Sequence, residues 1–177
     1  MIARLFRRRV TLGWVIAIGV LYIAVPTARS LAIGIPLAVV GLATRGLAAG
    51  TIRKGSELAR SGPYAFTRNP LYLGSSVLAL GFGIMSGNLI GAALLVIPSA
   101  IVYPAVIRSE EAELRRRYGR EFDDFRNGVP CFFPRRISRR ALDAFTFGQF
   151  VANGEYNATI GFLAATGVLA IKYFLSF

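Results

Sequence analysis

The sequence contains no histidine and a single cysteine, Cys131. The absence of histidine removes the side chain that most often serves proteins as a general base or a metal ligand near neutral pH. One cysteine excludes an internal disulfide and any metal cluster held by several thiolates. Any chemistry must therefore come from carboxylates, arginines, tyrosines, backbone groups or a bound cofactor, and we expect no metal site.

Acidic residues are also scarce. The chain has 9 of them against 21 lysines and arginines, yet more than half of its residues are hydrophobic. Soluble domains rarely combine these traits, whereas membrane proteins do, because their apolar residues form the spans and their basic residues occupy cytoplasmic loops. We predict one integral-membrane domain over residues 1–177, with core motifs in 45–135 and a C-terminal part in 138–177.

Five apolar segments approach the roughly 20 residues that a membrane-spanning helix needs. They cover residues 10–25, 31–50, 71–87, 89–107 and 158–175. The pattern predicts an all-α polytopic membrane protein with about five transmembrane helices. Residues 86–88 alone join the third and fourth segments, so these two should form a tight helical hairpin.

The distribution of arginines predicts the orientation. Arginines precede the first apolar segment and cluster after the second and after the fourth, while the other connections are nearly bare. This alternation places the N-terminus and the site in the cytoplasm. We expect a bacterial inner membrane, given the compact hairpin, with membrane lipids as partners. No nucleic-acid-binding motif accompanies the basic runs, so we expect no nucleic acid.

Residues 108–126 are predicted to form a cytoplasmic helix that lies on the membrane surface or against the bundle. The pair Glu111 and Arg115, four residues apart, predicts an ordinary surface ion pair. Glu110 instead falls on the apolar side, where a carboxylate is costly unless it faces a polar or cationic partner, which favours a function. The apolar stripe has helical spacing and comprises Leu114, Tyr118, Phe122 and Phe125.

Two segments after the fourth apolar segment, and one arginine within the second, also carry structural predictions. Prolines in 129–134 exclude a helix there and indicate that the segment folds back over the bundle. A second interfacial helix is predicted over 138–150, with its phenylalanines (145, 147 and 150) as lipid-facing anchors or as packing. Arg45 lies inside the second apolar segment and either snorkels to the interface or has a function.

Residues 61–74 form a polar turn that leads directly into the third apolar segment. Pro63 and Pro70 bias the residues before them away from helix. Pro70 suits the first turn of the third span, and Asn69 suits its N-cap.

A capped helix does not explain the rest of this segment. Tyr64, Arg68 and Tyr72 are polar and precede a second polar helix that carries Glu110. Polar groups at a bilayer edge cost free energy unless something uses them. We therefore expect these residues to form a pocket at the cytoplasmic interface.

Residues 62–74, GPYAFTRNPLYLG, resemble the G-x-Y-x-x-x-R-H-P-x-Y-x-G motif of the isoprenylcysteine carboxyl methyltransferases and their phospholipid methyltransferase relatives. The sequence from 110 to 134 is similar to the second block of that family, E-E-x-x-L…F-G…V-P…P. The resemblance implies an integral-membrane enzyme that uses S-adenosylmethionine without a Rossmann domain. In agreement, the chain has no G-x-G-x-x-G after a strand.

The resemblance also implies a site. Glu110 would balance or position cationic groups of the cofactor, and Arg68 or Arg108 would hold an anionic group of the cofactor or acceptor. These three are our catalytic candidates. The predicted cofactor-binding residues are Ser56, Glu57, Leu58, Ala59, Tyr64, Asn69, Pro70, Leu71, Tyr72, Glu110 and Glu111.

Two departures from the family pattern concern the acceptor. Asn69 stands where the family often has histidine, and an amide cannot act as a proton-transfer base. Val106 stands where the isoprenylcysteine enzymes have an arginine tied to the substrate carboxylate, which disfavours a prenylcysteine substrate. A lipophilic acceptor is expected, whether a phospholipid amine, a quinone-like or polyprenoid lipid, or a thiol. A non-catalytic lipid-binding protein and an NADPH-dependent reductase remain alternatives.

Overall fold

A computed structural model describes residues 2–53, 57–134 and 144–175, and these residues contain helices and no strand. This confirms the all-α prediction. A short 3₁₀ helix, Gly62–Ala65, lies between the second and third α-helices. The α-helices are α1 (Ile2–Ile23), α2 (Ala28–Ala49), α3 (Pro70–Met85), α4 (Leu89–Tyr118), α5 (Arg120–Gly128), α6 (Phe147–Ala152) and α7 (Tyr156–Leu175).

Each of the five predicted apolar segments forms a helix over all but at most its last two residues. Three helices, α2, α4 and α7, are long and apolar enough to cross a membrane, and α1 and α3 contribute shorter apolar stretches, Gly13–Ile23 and Pro70–Met85. Many large apolar side chains on these helices are exposed and few are fully buried, as expected of surfaces that face lipid. The protein is therefore a polytopic membrane protein.

The closest packing in the bundle is between α2 and α3. A Cβ atom on Gly81 would lie 2.6 Å from the amide nitrogen of Ala38, and one on Gly74 would lie 2.7 Å from the carbonyl oxygen of Gly41. Small residues allow such close approach of helix backbones, which is a main source of helix association in membranes. The α2–α3 pair is thus the scaffold on which the polar end of the bundle is built.

The predicted hairpin at residues 86–88 is confirmed. Gly87 adopts φ +59°, a conformation that glycine reaches without steric cost. The side chain of Asn88 caps α4 by accepting from the amides of Ile90 and Gly91 at 2.9 and 3.2 Å. At the same end of the bundle, Lys172 of α7 donates to the last carbonyls of α1, so α7 is fixed beside α1.

The prediction of a separate helix over 108–126 is wrong. The fourth span continues without interruption to Tyr118, because the stretch after Pro104 contains strong helix formers and neither glycine nor proline. Gly119, with φ +53°, ends this helix, and α5 starts at the next residue. The apolar stripe is consequently divided between two helices, and Phe122 of α5 is fully buried.

Of the described part of the helix predicted over 138–150, residues 147–150 are helical and belong to α6, but the start is wrong. Residues 144–146 are not helical, and 135–143 lie outside the described residues. Thr146 caps the short helix α6 instead, since its Oγ1 accepts from the amide of Gln149 at 3.3 Å. Phe147 is exposed as a lipid anchor would be, whereas the Phe145 ring lies directly over Gly50.

Candidate functional site

Polar side chains gather at one end of the bundle, where α2 ends and α3 and α7 begin. The first turn of α3 carries Tyr72, the extended α4 carries Glu110 and Glu111, and the residue before α7 is Glu155. The loop with the 3₁₀ helix lies at this end and contributes Tyr64. These residues come from four separate parts of the sequence.

Tyr72 and Glu110 are in direct contact. The Tyr72 hydroxyl donates to Oε1 of Glu110 at 2.7 Å, and the Tyr72 ring lies 5.1 Å from the ring of Tyr103. Glu110 is otherwise exposed. The expectation that this carboxylate faces a polar partner is confirmed, and the ring of that partner packs against Tyr103.

Tyr64 is buried, with 5% of its surface exposed, and its hydroxyl has no hydrogen-bond partner among the described residues. Buried polar atoms in proteins are nearly always paired, so an unpaired one needs an explanation. Burial raises the pKa of Tyr64, and the charges of Glu110 and Glu155 raise it further. The phenol therefore stays protonated and can both donate to and accept from a ligand.

Arg68 is held by three protein groups. Its Nε donates to Oε1 of Glu111 at 2.9 Å, and its Nη1 donates to the carbonyls of Arg126 and Val129 at 2.8 and 2.6 Å. The predicted pair of Glu111 with Arg115 is therefore wrong, and Arg115 pairs with Asp123 instead. The break at Gly119 turns α5 back, which brings Asp123 to Arg115.

The loop before α3 is joined to the segment that follows α5. The amide of Arg68 donates to the Pro130 carbonyl at 2.9 Å, and Nδ2 of Asn69 donates to the Cys131 carbonyl at 3.0 Å. Thr67 donates to the same carbonyl. The segment 129–134 is non-helical and packs here, as predicted. The two sequence blocks thus form one structural unit.

Asn69 occupies the N-cap position of α3, as predicted, but its side chain caps nothing and binds the Cys131 carbonyl instead. Pro70 is the first residue of α3, where a missing N–H costs nothing. Leu71 follows it and is half-buried, and its carbonyl accepts from the Ser75 hydroxyl. These three residues shape the helix start beneath Tyr72.

The remaining predicted residues lie elsewhere. Leu58 and Ala59 line an open cavity of about 230 Å³, together with Glu57, and its lining does not include Tyr64, Tyr72 or Glu110. Arg108 is exposed and makes no hydrogen bond or ion pair with any described residue. Ser56 lies outside the described residues.

An ion pair between Arg45 and Glu155 escaped the sequence reasoning. Nε and Nη2 of Arg45 lie 2.7 and 3.0 Å from the two carboxylate oxygens of Glu155, which is 6% exposed. Arg45 also donates to Ser75. Arg45 is therefore paired and does not snorkel. The available signal was a lone acid at the start of the last apolar segment, at the same membrane depth as an arginine near the end of the second.

The model of the phospholipid methyltransferase family matches residues 14–121 of the chain. Two curated relatives match a shorter part. The nickel-cobalt-cadmium resistance protein NccN of Alcaligenes xylosoxydans xylosoxydans is 46% identical over 83 residues, which is 47% of this chain and 38% of that protein. The cobalt-zinc-cadmium resistance protein CzcN of Cupriavidus metallidurans is 39% identical over 94 residues, which is 53% of this chain and 43% of that protein.

The chain thus spans about two fifths of the length of the curated relatives it matches. No solved structure matches it significantly. Within the described ranges, no three histidine, cysteine or acidic side chains are grouped as they would be to bind a metal ion.

Proposed function

Because the chain belongs to the phospholipid methyltransferase family, we propose that it transfers a methyl group from S-adenosylmethionine to a lipid-like or isoprenoid acceptor at the cytoplasmic membrane interface. The observation that carries this proposal is the buried, unpaired hydroxyl of Tyr64 beside the Tyr72–Glu110 hydrogen bond. It gives the site a polar group that awaits a ligand.

The chemistry of the described residues fits this donor. S-adenosylmethionine presents an ammonium, a carboxylate, ribose hydroxyls and a sulfonium cation. Oε2 of Glu110 is free to accept from an ammonium or a ribose hydroxyl, since the bond from Tyr72 occupies Oε1. The rings of Tyr72 and Tyr103 offer aromatic faces to a cationic sulfur. The Tyr64 hydroxyl offers a further hydrogen bond to the donor.

The donor supplies a methyl group that is already activated by the positive sulfur. The protein mainly has to hold the acceptor in line and exclude water, and positioning of this kind accelerates reactions by large factors. Glu110 balances positive charge at the donor. A carboxylate acceptor needs no base, whereas the proton of an amine or hydroxyl acceptor would pass to Glu110 or to water, because Tyr64 stays protonated.

Among the two candidate arginines, the contacts favour a positioning role for Arg68, whose guanidinium is already bound by Glu111 and two carbonyls. Arg108 is exposed. In the proposed orientation it lies near the anionic headgroups of the inner leaflet, which attract basic side chains.

A phospholipid amine is the acceptor class with specific support. No cation among the described residues pairs with Glu110, so this carboxylate can take the proton that an ammonium headgroup must lose before its nitrogen accepts the methyl group. The printed names of the two relatives concern resistance to metals. If this chain shares that role, we expect metal tolerance to depend on methyl transfer and to disappear with Glu110→Gln.

Membranes that contain the wild-type chain, Glu110→Gln or the control Arg115→Gln, incubated with methyl-labelled donor, test the proposal. We expect label in the lipid extract for the wild type and the control. For Glu110→Gln we expect the amount of label in that extract to fall at least about tenfold. Label in protein alone would contradict the lipid acceptor. Donor binding without label in any extract would favour a lipid-binding protein without turnover.

A further inference from the structure

The ion pair of Arg45 and Glu155 has no part in the function proposed above. It is bidentate, with distances of 2.7 and 3.0 Å, and Glu155 is almost fully buried. Charged residues within apolar helices are rare and mark functional sites by default. A buried ion pair is weak evidence for stability, since desolvation of the two charges offsets much of their attraction.

The path of the Arg45 side chain crosses the turn of α3 that carries Tyr72. Arg45 passes over Gly74, where a Cβ atom would lie 2.8 Å from its Cγ, and it donates to Ser75. Gly74 and Ser75 follow Tyr72 by two and three residues. One turn of α3 therefore positions the phenol that binds Glu110 and also receives the guanidinium of Arg45.

Glu155 fixes the start of α7. Its amide donates to the Phe150 carbonyl at 3.2 Å, and its own carbonyl accepts from the amide of Ala158 at 3.0 Å. Asn153 provides a second, uncharged anchor, because its Nδ2 donates to the carbonyls of Ala49 and Ile52 at the end of α2. Loss of the ion pair therefore leaves α7 attached to α2.

Two acidic residues act on the Tyr64 phenol. Both Glu110, on α4, and Glu155, before α7, are close enough to act electrostatically on its phenol. Arg45 neutralises Glu155, whereas no cation among the described residues pairs with Glu110. Of these two carboxylates, Glu110 is thus the one whose charge no described cation pairs.

We propose that Arg45 and Glu155 are positioning residues of the methyl-transfer site, which fix the start of α7 against the Tyr72 turn and pair the charge of the second carboxylate near this site. This inference rests on the function proposed above. It has a consequence that a purely structural pair lacks: breaking the pair from its two sides changes the charge of the site in opposite directions.

The test compares two ligands that differ by one charge. S-adenosylmethionine carries a sulfonium, whereas S-adenosylhomocysteine has a neutral sulfur, so the ratio of their affinities measures the charge felt at the sulfur. Glu155→Gln leaves Arg45 unpaired and should lower the preference for the cationic ligand. Arg45→Gln leaves Glu155 unpaired and should raise it. One unit charge at about 10–15 Å in an effective dielectric of about 20 gives a change of about sixfold to sixteenfold.

Calorimetry of purified protein in detergent gives both affinities. Arg115→Gln is the matched control, because it breaks the exposed pair with Asp123 and should leave the ratio unchanged. The reversed double variant, Arg45→Glu with Glu155→Arg, should return the ratio toward that of the wild type. Equal losses for both ligands in both single variants, or shifts in the same direction, would overturn the proposal.

Hydrogen exchange supplies a readout that needs no ligand. We expect faster exchange confined to the amides of residues 155–160 in both glutamine variants. If a glutamine variant fails to fold, Arg45→Lys and Glu155→Asp take its place. They keep the charges and lose the two-point contact, so faster exchange with an unchanged affinity ratio supports the proposal, and wild-type exchange overturns it.

Ligand binding by the wild-type chain distinguishes a failure of the proposed function from a failure of the role assigned to Arg45 and Glu155. If it binds neither ligand, the proposed function fails. If it binds both, and the two glutamine variants keep the wild-type ratio, the proposed function stands and only the role of Arg45 and Glu155 is overturned.

Discussion

The hydroxyl of Tyr72 donates a 2.7 Å hydrogen bond to Oε1 of Glu110, and this contact links the first turn of α3 to the far part of α4. The two residues belong to the two sequence blocks that resemble the methyltransferase motifs. The bond fixes one carboxylate oxygen of Glu110 and leaves the other for a ligand. The account of the site depends on this carboxylate being available in a defined position.

The unpaired hydroxyl of Tyr64 predicts a conflict between stability and binding. An unsatisfied buried hydroxyl costs about 1–3 kcal/mol, so Tyr64→Phe should leave the ligand-free protein as stable as the wild type or more stable by up to that amount. The same change should weaken donor binding about threefold to tenfold, the value of one hydrogen bond. Thermal unfolding in detergent and calorimetry measure the two effects, and a strong loss of stability would contradict the structure.

Alkaline pH should act on the same residue. Burial, together with Glu110, Glu155 and Tyr72, raises the pKa of Tyr64 above its ordinary value of about 10. The folded protein holds this proton more tightly than the unfolded chain, so the associated stability is complete below about pH 10 and is lost as the pH rises further. Between about pH 9 and 11 the free energy of unfolding should fall less steeply with pH in Tyr64→Phe than in the wild type. Equal slopes would show that Tyr64 is not buried.

Arg68 should be essential for the join between the two sequence blocks. Arg68→Met leaves the mostly buried Glu111 without its cation, since the two side chains are only 10% and 16% exposed in the native pair, and a loss of this kind costs about 3–5 kcal/mol. Faster hydrogen exchange should appear at residues 120–131. The control Arg115→Gln, which breaks an exposed pair, should cost less than about 1 kcal/mol. Equal effects of the two variants would argue against the clamp.

The contact between α2 and α3 should not tolerate a methyl group. Gly81→Ala places a Cβ atom 2.6 Å from the backbone of Ala38, and overpacking of this degree costs about 1–3 kcal/mol. Gly167→Ala on α7 is the matched control, since a Cβ atom there meets nothing within 4 Å. The temperature of thermal unfolding should be lower for Gly81→Ala than for the wild type, and unchanged or higher for Gly167→Ala. The reverse order would place the helix contact elsewhere.

Cys131 offers a test of orientation without any substitution. It is the only cysteine in the chain and is exposed, close to the proposed site. A membrane-impermeant thiol reagent should label it in inside-out membrane vesicles and not in intact spheroplasts. Labelling of spheroplasts would place the site on the outer side and contradict the orientation drawn from the arginines.

The sequence predicted the elements with the strongest local signals. Long apolar segments become helices because nothing else satisfies the backbone in lipid, and the connection at 86–88 is short enough to allow only a hairpin. The helix over 108–126 could not be divided correctly, since helix propensity continued through the membrane boundary and the break depended on the positive φ of Gly119.

The sequence identified individual residues of the site but not the contacts between them. Glu110 stood out because a carboxylate on an apolar stripe needs a partner, but its partner, Tyr72, lies 38 residues away. Glu111 was predicted to pair with Arg115 and to contact the cofactor, yet it binds Arg68. Glu155 gave almost no signal, because its importance comes from Arg45, 110 residues earlier. Such pairings are set by packing, which sequence spacing does not encode.

The most direct test of the central claim is calorimetry of the purified wild-type chain and of Glu110→Gln with S-adenosylmethionine. We predict binding to the wild type and an affinity about tenfold to a hundredfold lower for the variant, the value of a charge-assisted hydrogen bond of about 1.5–3 kcal/mol. Absence of binding to the wild type, or equal binding to Glu110→Gln, would contradict the claim that Glu110 and its neighbouring tyrosines form the donor site.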